Sequence, residues 1–439
     1  MSWLSTYLYE WKHLSHSRFK LVALLLYLGA AVYGLHNGAS LYNDRVTEIE
    51  RIQQKAQEDR NTYLAYYEAG EKGPEDRPWV DVTSPFWAVW YSNVYHFKRP
   101  SSAMVYSIGQ AEQYGYYKRV SFWASPLDAD MTQEIANPER LQTSSLDFAF
   151  VFLFLQPVLL LILLYNLKSA EVEEGIFPLI EVQTTNSQGW LLSRVGFYLS
   201  ILVVLNLGLL FYGALLTGVL KTAAVAFWQL LLFGLFYLLL WTGLYYLVLR
   251  RGKTIMGNTL LMAGIWLLLV FVVPAGVQQR VSIQMPANLM ADFIDAKRDE
   301  RTAIFNQPDS VLQAQLFALF PEIVNSPVAN DSTKINLARN QSSSSLANEL
   351  TKASVVKIEQ ENQTRNSLLR ASYWFNPVMY FQNRFNSIAH THYDNYEQFR
   401  QEIQILIDRQ IKIMVLDTWE DIEVNEEQFQ EYAKTLSVL

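Results

Sequence analysis

Two imidazoles and a carboxylate crowd into the run Ala389-His390-Thr391-His392-Tyr393-Asp394. His390, His392 and Asp394 are residue types that hold Zn or Cu. In an extended segment both rings would point the same way, whereas in a helix they would diverge by roughly 200°. A complete ligand set needs further residues that this spacing does not name. A solvated loop between two helices accounts for an H-x-H pair more simply, so no metal site is expected.

A second constellation lies in residues 168–194, KSAEVEEGIFPLIEVQTTNSQGWLLSR. Glu171, Glu173 and Glu174 read as the last turns of a helix that Gly175 ends, and residues 176–182 read as a short separate element. A plain solvated connection is the simpler alternative. Against it, Ile176, Phe177, Leu179 and Ile180 are too apolar for an idle loop and need something to cover them. Catalytic and phosphate-binding signatures are absent from the sequence: there is no G-x-x-x-x-G-K-[ST], no G-x-S-x-G and no H-E-x-x-H. A membrane-embedded enzyme therefore lacks a catalytic constellation, and any ATP-driven work must use another subunit. The chain has no cysteine, which excludes disulfide scaffolds, thiolate metal sites and cysteine nucleophiles. With 35 basic and 42 acidic side chains, a net charge of −7 and no basic run beyond residues 250–253, nucleic acid is not an expected partner.

The elements that must position these residues follow from the distribution of charge. Pieces 1–42 and 147–276 hold long uncharged runs, and the acidic excess sits in 43–146 and 277–439. About 20 apolar residues at 1.5 Å rise cross the roughly 30 Å of bilayer hydrocarbon. Five runs satisfy this: 21–42, 148–167, 195–220, 222–249 and 254–276. The expected fold class is an α-helical polytopic membrane protein with five spanning helices. Lys and Arg cluster before the first run, around 168–194 and at 250–253, which predicts a cytoplasmic N-terminus and places 43–146, 277–439 and the C-terminus outside. The two outer pieces are expected to pack together as one mainly helical extracytoplasmic domain, because the stripes Val46/Ile49/Ile52 and Ile403/Leu406/Ile407 have no partner within their own segments. Within the second piece, residues 341–345 read as a serine-rich break in a helix spanning 334–369.

Residues 1–20 read as an interfacial elbow. Trp3, Leu4, Tyr7, Leu8 and Trp11 share one helical face, and Ser5, Glu10, Lys12 and His13 lie opposite. Such a helix lies among the inner lipid headgroups, with Trp3, Tyr7 and Trp11 at the interface, and turns upward near Ser17. The aromatic set between Trp79 and Trp123 would serve a stacking platform, but a small domain core plus an aromatic belt explains it more economically. Apart from His36, no ionisable side chain falls inside a spanning run, which argues against a proton-coupled carrier.

The order Tyr9-Glu10-Trp11-Lys12, then Tyr165-Asn166-Leu167 running into Ser169-Ala170-Glu171-Val172-Glu173-Glu174-Gly175, then Gln188-Gly189 and Arg194, resembles the ABC-2-type transporter permease family. Ser107-Ile108-Gly109-Gln110, Asn376-Pro377 and Asn383-Arg384 extend the likeness to its bacterial subgroup with a large extracytoplasmic insertion after the first transmembrane helix. The resemblance implies a permease subunit in the bacterial inner membrane, paired with a second permease subunit of the same or a related chain. Two cytoplasmic ATPases would dock on the inner loops. ATP and Mg would be bound by that partner, with no cofactor in this chain, and an extracytoplasmic protein partner is compatible with the outer domain. Glu171, Glu173, Glu174, Gly175, Phe177 and Leu179 would then form the coupling surface. Where the wider family has six spanning helices, only five runs are found here. The rival expectation is a non-transporting structural or docking component of a cell-envelope assembly.

Overall fold

The computed structural model describes residues 3–130, 146–184, 186–285, 293–294, 298–299 and 302–437. The short helix α1 (Trp3–His16) ends at Ser17, whose extended backbone turns the chain into α2 (Arg18–Ala69), a single helix of 52 residues. No proline or helix-ending glycine interrupts that run until Gly70, which takes the left-handed conformation (φ 68°) and lets its N–H close on the last carbonyls. The first apolar run and the charged stretch after it are therefore one rod. A short helix, α3 (Pro85–Tyr91), and the hairpin β1 (Tyr95–Phe97) with β2 (Tyr117–Arg119) follow, paired antiparallel with Tyr95 opposite Arg119.

Four further helices are long and apolar enough to cross a membrane: α4 (Phe148–Glu173), α6 (Ser187–Thr217), α7 (Ala224–Arg251) and α8 (Ile255–Gln284). With α2 they make five among the described residues. Helix α5 (Phe177–Gln183) lies between α4 and α6. Both α4 and α8 carry one widened π turn, at Val151–Leu155 and Leu268–Val272. Two glycines one helical turn apart let the bundle close on α2. A Cβ on Gly34 would lie 2.6 Å from the backbone of Asp147, and one on Gly38 would lie 2.5 Å from the carbonyl of Val105. Only a residue without a side chain fits between these backbones. Leu25, Leu26, Val204, Leu215, Leu260 and Leu261 are exposed on the outside of the bundle, an apolar surface suited to lipid rather than water.

The chain after α8 supplies α9 (Asp309–Leu319), α10 (Ile335–Ala371), α11 (Pro377–Ile388), α12 (Tyr393–Trp419) and α13 (Glu426–Ser437). One core joins both polar pieces: Ala88, Val89, Val94, Val120 and Phe122 from the first pack with Ile403, Leu406, Ile407, Met414 and Trp419 from the second. Helix α12 lies on α3 and α10, and α2 lies against α3, β1 and α13, so α3 joins the two striped helices, which also meet directly where Arg45 donates to the Tyr396 hydroxyl at 3.2 Å. Of the aromatic set, Phe86, Trp90, Phe122 and Trp123 join this packing, Tyr106 joins the core of the bundle, and Trp79 stays exposed.

The serine tract corrects the sequence reading. Helix α10 runs unbroken through it, and Ser342, Ser343, Ser344 and Ser345 are buried. Hydroxyls bonded to carbonyls three residues back satisfy Ser343 (2.7 Å, to Asn340) and Ser345 (2.6 Å, to Ser342), and the indole of Trp419 donates to Ser342 Oγ at 2.9 Å. Four consecutive small side chains point round the helix and let α9 and α12 both pack closely on α10, so composition that suggests a loop serves close helix contact instead.

Candidate functional site

Helices α1, α2, α4 and α6 converge on a polar cluster at the end of the bundle nearest the N-terminus. Arg194 on α6 is at its centre, 3% exposed in its side chain. It pairs with Glu10 of α1, which is fully buried, and with Glu171 of α4, and also donates to the carbonyl of Leu167. Tyr198, one turn along, donates to the other oxygen of Glu10 at 3.0 Å. Lys20, at the start of α2 and equally buried, donates to the carbonyl of Leu163 at 2.9 Å and to Asn166 Oδ1 at 3.2 Å. Two carboxylates and two cations balance, which is the condition for keeping ionised groups away from water. The guanidinium of Arg194 also lies over Trp190, 4.9 Å from its ring centre.

Above this cluster a cavity of about 420 Å³ opens between α1, the end of α4 and α5. His13 lines it with a buried, unpartnered Nδ1, and burial holds its pKa below the ordinary histidine value. Oε2 of Glu171 is likewise buried without a partner. Helix α5 forms the cavity's outer wall. Gly175 turns the chain in the left-handed conformation (φ 73°), after which Ile176, Leu179 and Val182 face outward at 43%, 62% and 87% exposure. No side chain of α5 is fully buried.

Several sequence expectations need correction here. Glu10, assigned to the polar outer face of the elbow, is the most buried group of the cluster. Tyr7 is half-buried and packs edge-on against Phe197 at 5.3 Å, while Leu8, Tyr9 and Trp11 remain exposed. Trp3 begins α1, and its side chain lies outside the described residues, as does Thr185 of the 168–194 segment. Glu171 and Glu173 both have contacts within the chain: the first is held by Arg194, and the second, itself exposed, accepts from the backbone N–H of Ile255 at 2.7 Å, capping α8. Lys168 donates to the carbonyl of Arg250 at 2.9 Å. The segment is thus tied to the turn between α7 and α8. Glu174 is exposed. Phe177 turns inward, its ring 6.2 Å from Trp190 and 5.2 Å from the ammonium of Lys168, so Leu179 and Val182 are the outward apolar groups.

At the other end of the bundle, Ser107 donates to Asn386 Oδ1 (2.6 Å) and Thr391 donates to the Ser107 carbonyl (3.1 Å), locking the first polar piece to α11. Gly109, at φ 52°, leaves no room for a Cβ, which would lie 2.6 Å from Thr391 Oγ1. His392 accepts from Asp394 N–H at 3.3 Å as the cap of α12, Asp394 pairs with Arg370, and burial lowers the pKa of both His390 and His392. Among the described residues no group of three or more His, Asp or Glu is arranged to hold a metal. Asp147 caps α4 through Phe150 N–H (2.7 Å) and accepts from Ile108 N–H (2.8 Å), yet its burial pushes its pKa up to about 6. Between about pH 6 and the ordinary value of 3.8 the folded state binds a proton that the unfolded chain lacks, so acidification through this window adds stability at this site. Melting curves at pH 7 and pH 5 should show wild type gaining on Asp147→Asn as the pH falls. A gap that is constant or narrows would refute the assignment.

Glu10 thus meets Glu171 and Arg194 at one end of the bundle, and Ser107 and Gly109 meet the turn after α11 at the other. Lys20 and Tyr198 were missed, and the signal that would have found them is a lysine directly abutting an apolar run. No curated protein and no solved structure matches the chain. Residues 293–434, less than half of the chain, match the profile of a family described as a domain of unknown function (DUF3526), so the similarity lies in the second polar piece, with Asn386 and Thr391, and not in the Arg194 cluster.

Proposed function

We propose that the chain is the membrane-spanning permease subunit of an ABC-2-type transporter in the bacterial cytoplasmic membrane. It exports or acts mechanically on a substrate, and its energy comes from a separate cytoplasmic ATPase. The observation that carries the reading is α5: a short apolar helix held outward, with its base clamped by the Glu10–Arg194–Glu171 cluster and tied through Glu173 and Lys168 to the α7–α8 turn. A push on α5 reaches four spanning helices through charged contacts rather than through a flexible loop. The exposed apolar outside of the bundle leaves room for lipid and for a second permease subunit.

The test is purification of the tagged full chain from its native membrane. A nucleotide-hydrolysing subunit should come with it, and ATP hydrolysis should be lost when that subunit is stripped away. Recovery of the intact chain in envelope complexes that hydrolyse no ATP would favour the rival reading, a docking component, to which the exposed Trp374 (86%) on the polar body would lend a surface.

Topology has its own test in this reading, with the N-terminus inside and the polar body outside. Cysteines placed at Ser5, Leu337 and Ser437, all exposed, should be labelled by an impermeant maleimide in intact cells at 337 and 437 and protected at 5. The reverse pattern overturns the orientation. Ser342, the first residue of the serine tract, is unsuitable because it is buried.

A further inference from the structure

The end of the bundle that meets the polar body holds a concavity of about 710 Å³, walled by the loop after β1, the α6–α7 turn and the last turns of α11. Arg99, Lys221, Arg384 and His390 line it, and no carboxylate does, in a chain whose net charge is −7. All four side chains are exposed, and Arg99 and Lys221 have no hydrogen-bond or ion-pair partner among the described residues. The walls are fixed. Ser102 Oγ meets Thr222 Oγ1 at 2.6 Å, Thr217 donates to the Ser102 carbonyl at 3.0 Å, Lys98 donates to the His390 carbonyl at 2.7 Å, and the guanidinium of Arg384 rests 4.9 Å from the Phe233 ring centre. Such a preformed, one-signed concavity takes a compact anion.

What that anion is attached to follows from α7 below the pocket. Val225, Trp228, Leu232 and Leu235 are exposed at helical spacing, descending from the pocket on one face. Leu235 also lines an apolar crevice of about 200 Å³ between α6 and α7, shared with Leu207, Leu231 and Leu238. From Ala224 at the pocket to Leu235 is about 16 Å along the helix at 1.5 Å per residue, the reach of an extended fatty acyl chain. A free phosphate would use the pocket alone. A lipid uses the pocket, the stripe and the crevice together.

We propose that this surface binds an anionic phospholipid, its phosphate held by Arg99, Lys221 and Arg384 and one acyl chain lying along Val225, Trp228 and Leu232 into the crevice at Leu235. The site does not depend on the transporter reading.

The experiment uses the purified full chain in neutral detergent. Dioleoyl phosphatidylglycerol, dioleoyl phosphatidylcholine and inorganic phosphate are added separately, and adducts are counted by native mass spectrometry beside a thermal melt. Phosphatidylglycerol should be retained and raise the Tm, and phosphatidylcholine should do neither. Affinity for phosphatidylglycerol should fall tenfold or more in the Arg99→Gln/Lys221→Gln double variant, since a cation near an anionic lipid is worth about a fivefold change. Leu235→Trp, which fills the crevice and leaves the cations in place, should weaken phosphatidylglycerol but not inorganic phosphate. Equal retention of phosphatidylcholine would overturn the proposal. So would an unchanged affinity in the double variant, with a wild-type melt showing that it folds. Stabilisation by inorganic phosphate equal to that by phosphatidylglycerol would assign the pocket to a free anion and overturn the lipid.

Discussion

Arg194→Met is expected to destabilise the protein by about 3–5 kcal/mol, the cost of removing one partner from a buried ion pair. Methionine matches the length of the arginine stem, so packing against Trp190 is largely kept while the charge is lost. Glu10, with no exposed surface, and Glu171 would then face one another without the cation between them, leaving Lys20 as the only positive group of the cluster. The measurement is the melting temperature of the purified chain beside that of a triple variant, Glu10→Gln/Glu171→Gln/Arg194→Met. The single change should be severe and the triple change should recover most of the loss, because replacing all the charges removes the unpaired groups. A single variant that melts like wild type would show that the cluster contributes no stability and would leave α5 without a rigid base.

The second large effect is expected at Leu179 and Val182. Burying side chains of this size contributes about 1.5–3 kcal/mol each, so Leu179→Asp with Val182→Asp should cost the ATPase complex more than a hundredfold in affinity. An exposed ion pair is worth ~0–1 kcal/mol, so Glu174→Gln should be nearly silent. Both apolar positions are exposed, and neither change should alter folding or membrane insertion. Phe177 is unsuitable for this test, because its ring is packed on Trp190 and a charge there would disturb the segment itself. A pull-down of the ATPase that is indifferent to the double change, with insertion intact, would remove the coupling role from α5.

Much of this architecture was legible without coordinates, because it depends on local properties of the chain. An uncharged run about 20 residues long has one inexpensive environment, so the five long helices follow from composition alone. Gly175 ends a helix because a left-handed residue without a Cβ closes the last carbonyls, and it does so where the pattern placed it. The turn at Ser17 and the amphipathic face of α12 were readable for the same reason.

Pairing across the chain was not legible. Periodicity says which face of a helix is buried but not against what. Periodicity marked the stripes on α2 and α12 as faces that need cover, and only the fold shows α3 lying against both helices. Glu10 has the type and spacing of a solvent-facing residue, and only the approach of α6 brings Arg194, 184 positions away in sequence, close enough to make its burial tolerable. The serines of α10 carry a loop's composition, and Trp419 and the close passage of α12 make them a helix contact. Arg99, Lys221 and Arg384 are three unremarkable charges in sequence, and they become one site because three separate parts of the chain meet at the same end of the bundle. The sequence determined the helices, their ends and their buried faces, since these depend on neighbours a few residues apart. The tertiary structure decided which charges are buried, which apolar groups remain outside and where cations gather, since each of these depends on contacts between residues that the chain's own order leaves unpaired.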